Sequence, residues 1–239
     1  MSRLTFNELL NHIFEGKTHF LAAEFETWVR SSRRYKAFAE TYRDKIRKKH
    51  RLASTDDALR DLEFELEIAY WLLQDSRFEV EYEALAASKQ RAPDFTVRFR
   101  VNTRLSVEVT RIRAGASSQT DSTGQKIMNA ICEKAGQMPP ASINLLVLGM
   151  DGDIGSDDLA SATNGLRLMV ERKDDAYFTR RGYESAAEFG KQFRRLSGIV
   201  VKSPPPVIWV NPQTKHPVPN DLINALRKLD DSGNNQGRS

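Results

Sequence analysis

Apolar and polar positions along this chain repeat with two different periods. From 5 to 46 the apolar residues return every three or four positions: Phe6, Leu9, Leu10, Ile13 and Phe14, then Phe20, Leu21, Phe25, Trp28 and Val29, then Tyr35, Phe38 and Tyr42. That spacing gathers them on one side of a helix and predicts a helical N-terminal region. Tyr35, Phe38 and Tyr42 are interleaved with Arg33, Arg34, Lys36 and Arg43. Aromatics among cations can stack on and neutralise nucleic acid, but spacings of three and four favour a core-facing stripe. Ser54, Thr55, Asp56 and Asp57 supply caps and then acids for a helix start. The helix runs over 56–74, with Leu59, Leu62, Leu66, Ala69 and Leu73 as its buried stripe.

The period then drops to two. Residues 78–83, 94–101 and 104–112 alternate as strands do. Only Asn102 and Thr103 separate the last two, which predicts an antiparallel hairpin on a two-residue turn. Residues 84–92 read as a turn or loop, and the polar, small-residue stretch 114–122 as a second loop. A helix over 124–137 stops before Pro139 and Pro140. The nearly continuous apolar run 143–149 reads as a strand buried on both faces. A helical crossover into it predicts parallel pairing with the strand before the helix. Further helices are expected over 157–171, 185–196 and 221–229. Strands are expected over 198–202 and 207–210, either side of Pro204, Pro205 and Pro206, and 231–239 reads as a disordered tail. The fold class is therefore α/β (α+β), a mixed central sheet with helices on both faces. It divides into a helical, basic N-terminal extension (1–52), a core (53–150), a C-terminal α/β extension packed on that core (151–230) and the tail.

Composition narrows the function classes. The chain has 239 residues, 40% of them hydrophobic and 28% charged, with one cysteine. One cysteine excludes an internal disulfide and a Cys-rich zinc site. No apolar run approaches the roughly 20 residues that cross a bilayer, and the N-terminus lacks the layout of a secretory signal. These features predict a cytoplasmic protein with no membrane partner. The net charge is only +4, but it is unevenly spread. Residues 30–51 carry ten Lys/Arg against Glu40 and Asp44, and residues 56–83 carry ten Asp/Glu against Arg60 and Arg77. A phosphate-contacting arm beside a metal-binding core has this layout, and so do two solvated helix faces.

The chemistry centres on Asp94 and Glu108. Asp94 opens one hairpin strand. Glu108, the only acid of the other, lies between Val107 and Val109. A carboxylate in a buried sheet is costly unless paired or metal-bound. Two carboxylates converging at a strand end make a hard-oxygen site suited to Mg²⁺ or Mn²⁺. No spacing of His12, His19, His50 and His216 suggests a metal site. Asp151, Gly152 and Asp153 open like a calcium loop but lack its closing glutamate.

Pro93-Asp94, thirteen intervening residues and Glu108-Val109-Thr110 resemble the PD-(D/E)xK signature of the restriction endonuclease-like nucleases. The resemblance covers about 56–149. It implies a metal-dependent nuclease that hydrolyses DNA phosphodiester bonds, with Asp94, Glu108 and the Val109 carbonyl on Mg²⁺ or Mn²⁺. DNA would be the partner, and a homodimer is left open. Phe64-Glu65-Leu66-Glu67-Ile68-Ala69 resembles the family's Phe-Glu-x-x-Val-Ala segment, which implies a role for Glu65, with Glu63 and Glu67 as alternates. One departure stands out: Thr110 occupies the place of the family's lysine, and a threonine cannot neutralise developing phosphate charge. In some relatives the next helix supplies that charge. Here it offers Lys134 with Gln137, or Lys126. The departure equally fits a catalytically inactive nucleic-acid-binding or structural module.

Overall fold

The computed structural model describes residues 5–83, 93–113, 122–150 and 154–229. The expected loops at 84–92 and over most of 114–122, the Asp151–Asp153 segment and the tail lie outside them. Among the described residues the elements are α1 (Phe6–Phe14), α2 (Phe20–Ser31), α3 (Arg33–Leu52), α4 (Asp56–Leu73), β1 (Phe78–Tyr82), β2 (Phe95–Phe99), β3 (Thr103–Ile112), α5 (Thr123–Ala135), β4 (Ile143–Met150), α6 (Ser156–Glu171), α7 (Asp175–Thr179), α8 (Ala186–Phe193), β5 (Gly198–Val201), β6 (Val207–Val210) and α9 (Asn220–Lys228). No helix among them is long and apolar enough to cross a membrane.

Local chemistry sets the helix ends. Thr5 and Glu8 form a reciprocal capping box at the start of α1. Glu15 and Gly16, both at positive φ, end that helix. Ser32 closes α2, and its hydroxyl caps α3 by accepting from the Tyr35 N–H. The unbroken helical pattern over 5–46 is therefore three helices. The short α7 was not anticipated from the pattern, because five residues carry too little periodicity to register.

The strands form one six-stranded sheet in the order β1-β2-β3-β4-β5-β6. The two pairs at the β1 edge are antiparallel, β3-β4 and β4-β5 are parallel, and β5-β6 is antiparallel. Alternation sends Leu105, Val107, Val109, Leu145, Val147 and Val200 into one core with α1–α4 and α9. Ile112, Leu146, Leu148, Ile199 and Val201 enter a second core with α5–α8. Helices thus cover both faces, as expected. Tyr35 and Phe38 are buried in the first core, so the aromatic stripe packs inward.

The hairpin departs from expectation. Phe99 pairs with Thr103, so a three-residue loop of Arg100, Val101 and Asn102 replaces the two-residue turn at Asn102 and Thr103. Arg100 takes a φ of 55° there. The register is changed by it: Phe95 faces Val107, and one residue further Asp94 comes opposite Glu108. A turn at Asn102-Thr103 would have set Asp94 against Arg111.

The basic segment is also turned inward. Arg47 and Arg51 both hold Glu15 of the α1 end. Arg34 donates to the carbonyls of Leu73, Asp75 and Phe78, which anchors the α4–β1 corner. Lys45 donates to the Tyr82 carbonyl at 2.6 Å. Arg47 and Arg51 thus tie α3 to α1, and Arg34 and Lys45 hold α3 onto α4 and β1.

Candidate active site

A cleft of about 570 Å³ opens where α4, the start of β2, the C-terminal half of β3 and the end of α5 meet. Glu65, Asp94, Val109, Thr110, Arg113 and Lys134 are among its lining residues. Each is placed by an element already described. Glu65 lies one turn before Ala69 on α4. Asp94 is the last residue before β2, and Lys134 is in the final turn of α5.

Asp94 is fixed by the strand it faces. Its Oδ2 accepts from the Val109 N–H at 2.8 Å, where β3 runs on past the end of β2. A strand residue points its N–H and C=O to the same edge. The Val109 carbonyl therefore shares the side from which Asp94 approaches. Glu108 is only 3% exposed, on the β3 face that α5 covers. A carboxylate so buried requires a cation nearby. Lys134 supplies one, with Nζ 3.2 Å from Glu108 Oε2 and a side chain only 12% exposed.

Glu65 has a separate cation. Lys49 of α3 reaches Glu65 Oε1 at 2.5 Å and Glu83 Oε1 at 2.6 Å. Burial pushes the Glu65 carboxyl up to about 7; Lys49 pulls it down and the Asp94 charge pushes it up. Burial pulls the Lys49 ammonium down, but Glu65 and Glu83 outweigh that and hold it above its usual value. Arg111 and Arg113 at the rim are tied to α4, Arg111 to Asp57 and Asp61 and Arg113 to Asp61.

The sequence-derived candidates separate here. Glu65, Asp94, Val109 and Lys134 share the cleft, and Glu108 joins it through Lys134. Gln137 lies beyond the end of α5, its amide nitrogen donating to the Glu133 carbonyl, and it is not among the cleft-lining residues. Lys126 is not among them either. Glu63 and Glu67 line an adjoining cavity of about 340 Å³ that shares Phe64 and Arg111 with the cleft. Lys49 and Glu83 were not read from the sequence as site residues. Lys49 looks like one more cation in a basic helix, and nothing local shows that it points at an acid sixteen residues away.

The donor set tests whether a divalent ion suits this place. Among the described residues, no three His, Cys, Asp or Glu side chains converge to enclose a metal. Asp94 and Val109 line the cleft and the buried Glu108 lies behind Lys134; the two carboxylates and the Val109 carbonyl are all hard oxygen donors. This set suits Mg²⁺, which commonly takes one or two carboxylates and keeps several waters. Compared with models of protein families, with curated proteins and with solved structures, the chain matches none.

Proposed function

We propose that this protein is a metal-dependent nuclease of the PD-(D/E)xK type, with a restriction endonuclease-like core, that hydrolyses DNA phosphodiester bonds. The observation that carries the reading is the Lys134 ammonium 3.2 Å from the buried Glu108 carboxylate, at the cleft that Lys134 lines together with Asp94. A lysine from the following helix supplies a cation that Thr110 cannot.

Asp94, Glu108 and the Val109 carbonyl would hold Mg²⁺ or Mn²⁺. Such an ion, when bound, supplies a water of lowered pKa and charge stabilisation at the scissile phosphate. The chain's own residues prepare the place. The Val109 N–H fixes the Asp94 carboxylate before any ligand arrives. Lys134 brings positive charge to the cleft where phosphate charge develops. Glu65 adds a carboxyl beside Asp94.

The test is incubation of plasmid and oligonucleotide DNA with Mg²⁺ or Mn²⁺, repeated with chelator. Cleavage that needs the ion is expected, lost in Asp94→Asn with folding intact and lost in Glu108→Gln under conditions where circular dichroism shows that variant still folded. Full activity in both variants would sink the assignment.

One observation favours a second reading, a nucleic-acid-binding or structural module without chemistry. Thr110 is neutral, and Lys134 is already engaged by Glu108. Retention of DNA without ion-dependent cutting would select that reading.

A further inference from the structure

The N-terminal helices are outside the segment whose pattern suggests a nuclease, yet one of their side chains enters the cleft region. Lys49 leaves α3 near its end, between Ile46 and His50, both buried. Its ammonium bridges Glu65 at 2.5 Å and Glu83 at 2.6 Å, and lies 4.7 Å from the centre of the Tyr82 ring. The Lys49 side chain is 26% exposed and that of Glu65 is 13% exposed. Tyr82 itself is buried, with its hydroxyl beside the Glu65 carboxyl.

Three points separate this contact from ordinary surface pairing. Both ion-pair distances are short, and the cation serves two acids from different elements, α4 and the end of β1. Of these two acids, only Glu65 also lines the cleft that Asp94 lines. A long, flexible glutamate at a cleft wall has several rotamers open to it, and one fixed partner selects among them. Lys45 assists from one turn earlier, at 3.6 Å from Glu83, and so holds the second acid without touching the first.

We infer that Lys49 is a positioning residue of the candidate site: it holds the Glu65 carboxylate toward Asp94, which makes the N-terminal helix α3 a working part of the centre. The inference rests on the nuclease reading for the purpose of that centre, but the hold on Glu65 can be tested without catalysis.

The experiment is a double-mutant cycle on the full chain with Lys49→Met, Glu65→Gln and the pair, plus Lys49→Arg. Two quantities are measured: ion-dependent DNA cleavage, as kcat and KM, and Mn²⁺ binding followed by loss of the free-ion paramagnetic resonance signal. Lys49→Met should lower kcat at least tenfold with KM within about threefold of wild type, and Lys49→Arg should recover most of it. Glu65→Gln should lower kcat similarly, and the double variant should be no worse than either single, because interacting residues are non-additive. Mn²⁺ affinity should follow the same pattern, with each single change weakening it and the pair adding nothing.

Wild-type cleavage by Lys49→Met, or losses that add in full, would overturn the inference. If Lys49→Met does not fold, Glu65→Gln is compared with the double variant. Equal rates support the inference, and a further tenfold loss in the double overturns it. If the wild-type chain never cuts DNA, the nuclease reading fails by itself, and the Mn²⁺ cycle alone decides on Lys49: coupled losses support it and independent ones overturn it. A wild-type chain that binds no Mn²⁺ would end both.

Discussion

At the scale of single residues, the cleft depends on the Lys134–Glu108 pair. Glu108 is nearly inaccessible to water, so its charge depends on the protein around it. Removing one member of a buried pair typically costs about 3–5 kcal/mol, mostly because the other is left in a poor medium. Lys134→Ala should therefore lower stability as well as cleavage. Adding Glu108→Gln should return much of the stability and none of the cleavage. Urea unfolding of the single and double variants checks the first part. On rates, Lys134→Ala should lose on the order of 10²-fold or more, and Thr110→Ala far less. The variant Thr110→Lys with Lys134→Ala should recover some activity, since residue 110 shares its strand face with Glu108. Equal rates for Lys134→Ala and wild type would show that no migrated cation is at work.

At the scale of elements, most of the order was legible in the sequence. The helix expected over 56–74 is α4, and the apolar run 143–149 is β4, parallel to β3 as its crossover required. Asp94 and Glu108 were legible as candidates because each is an acid set against an alternating strand, and Lys134 because the resemblance pointed to a cation on the next helix. The hairpin tip was not. A positive φ at Arg100, a residue type seldom found there, carries no local signal. Lys49 was hidden for another reason: its meaning lies in a contact between elements, and periodicity reports only on the element itself. Packing between elements also sets Gly149. A Cβ there would sit 2.5 Å from the Phe64 ring, which lines both the cleft and its neighbouring cavity. Gly149→Ala should destabilise by about 1–3 kcal/mol, the usual cost of overpacking, and should displace the ring. A thermal melt gives the cost, and a change in cleavage or Mn²⁺ binding reports the displaced wall.

At the scale of the whole molecule, a part-buried histidine pair and a buried glutamate pull stability in opposite directions. His19 and His50 stand with their Nε2 atoms 2.9 Å apart, joining the start of α2 to the end of α3. Burial lowers both, helped by Lys17 and, for His50, by His19, while Glu15 opposes for His50. With folded values below the ordinary 6.5, the unfolded chain binds more protons as pH falls, so this stabilisation is lost on acidification below about 6.5. Glu65 has the opposite sign. Its carboxyl is raised from 4.5 to about 7, so the folded state holds the extra proton and stability falls as pH rises through that interval. In chelator, Glu65→Gln should flatten the fall toward neutral pH, and replacing both histidines with glutamine should flatten the fall toward acid. Denaturant midpoints across pH 4.5–8 check both, and unchanged curves would remove these groups from the account. The hairpin loop has a different consequence for the molecule. Its three residues sit about five residues, or some 17 Å, from Asp94, and they act as a gauge block. Alternating burial tolerates only even slips along the ladder, so the core guards parity while the loop selects the rung. Moving this three-residue turn by one position along the chain would keep the alternation of the core and slide Asp94 off Glu108 to stand against Thr110. The place of a chemically silent bend is thus tied to a carboxylate pair at the opposite end of the strands.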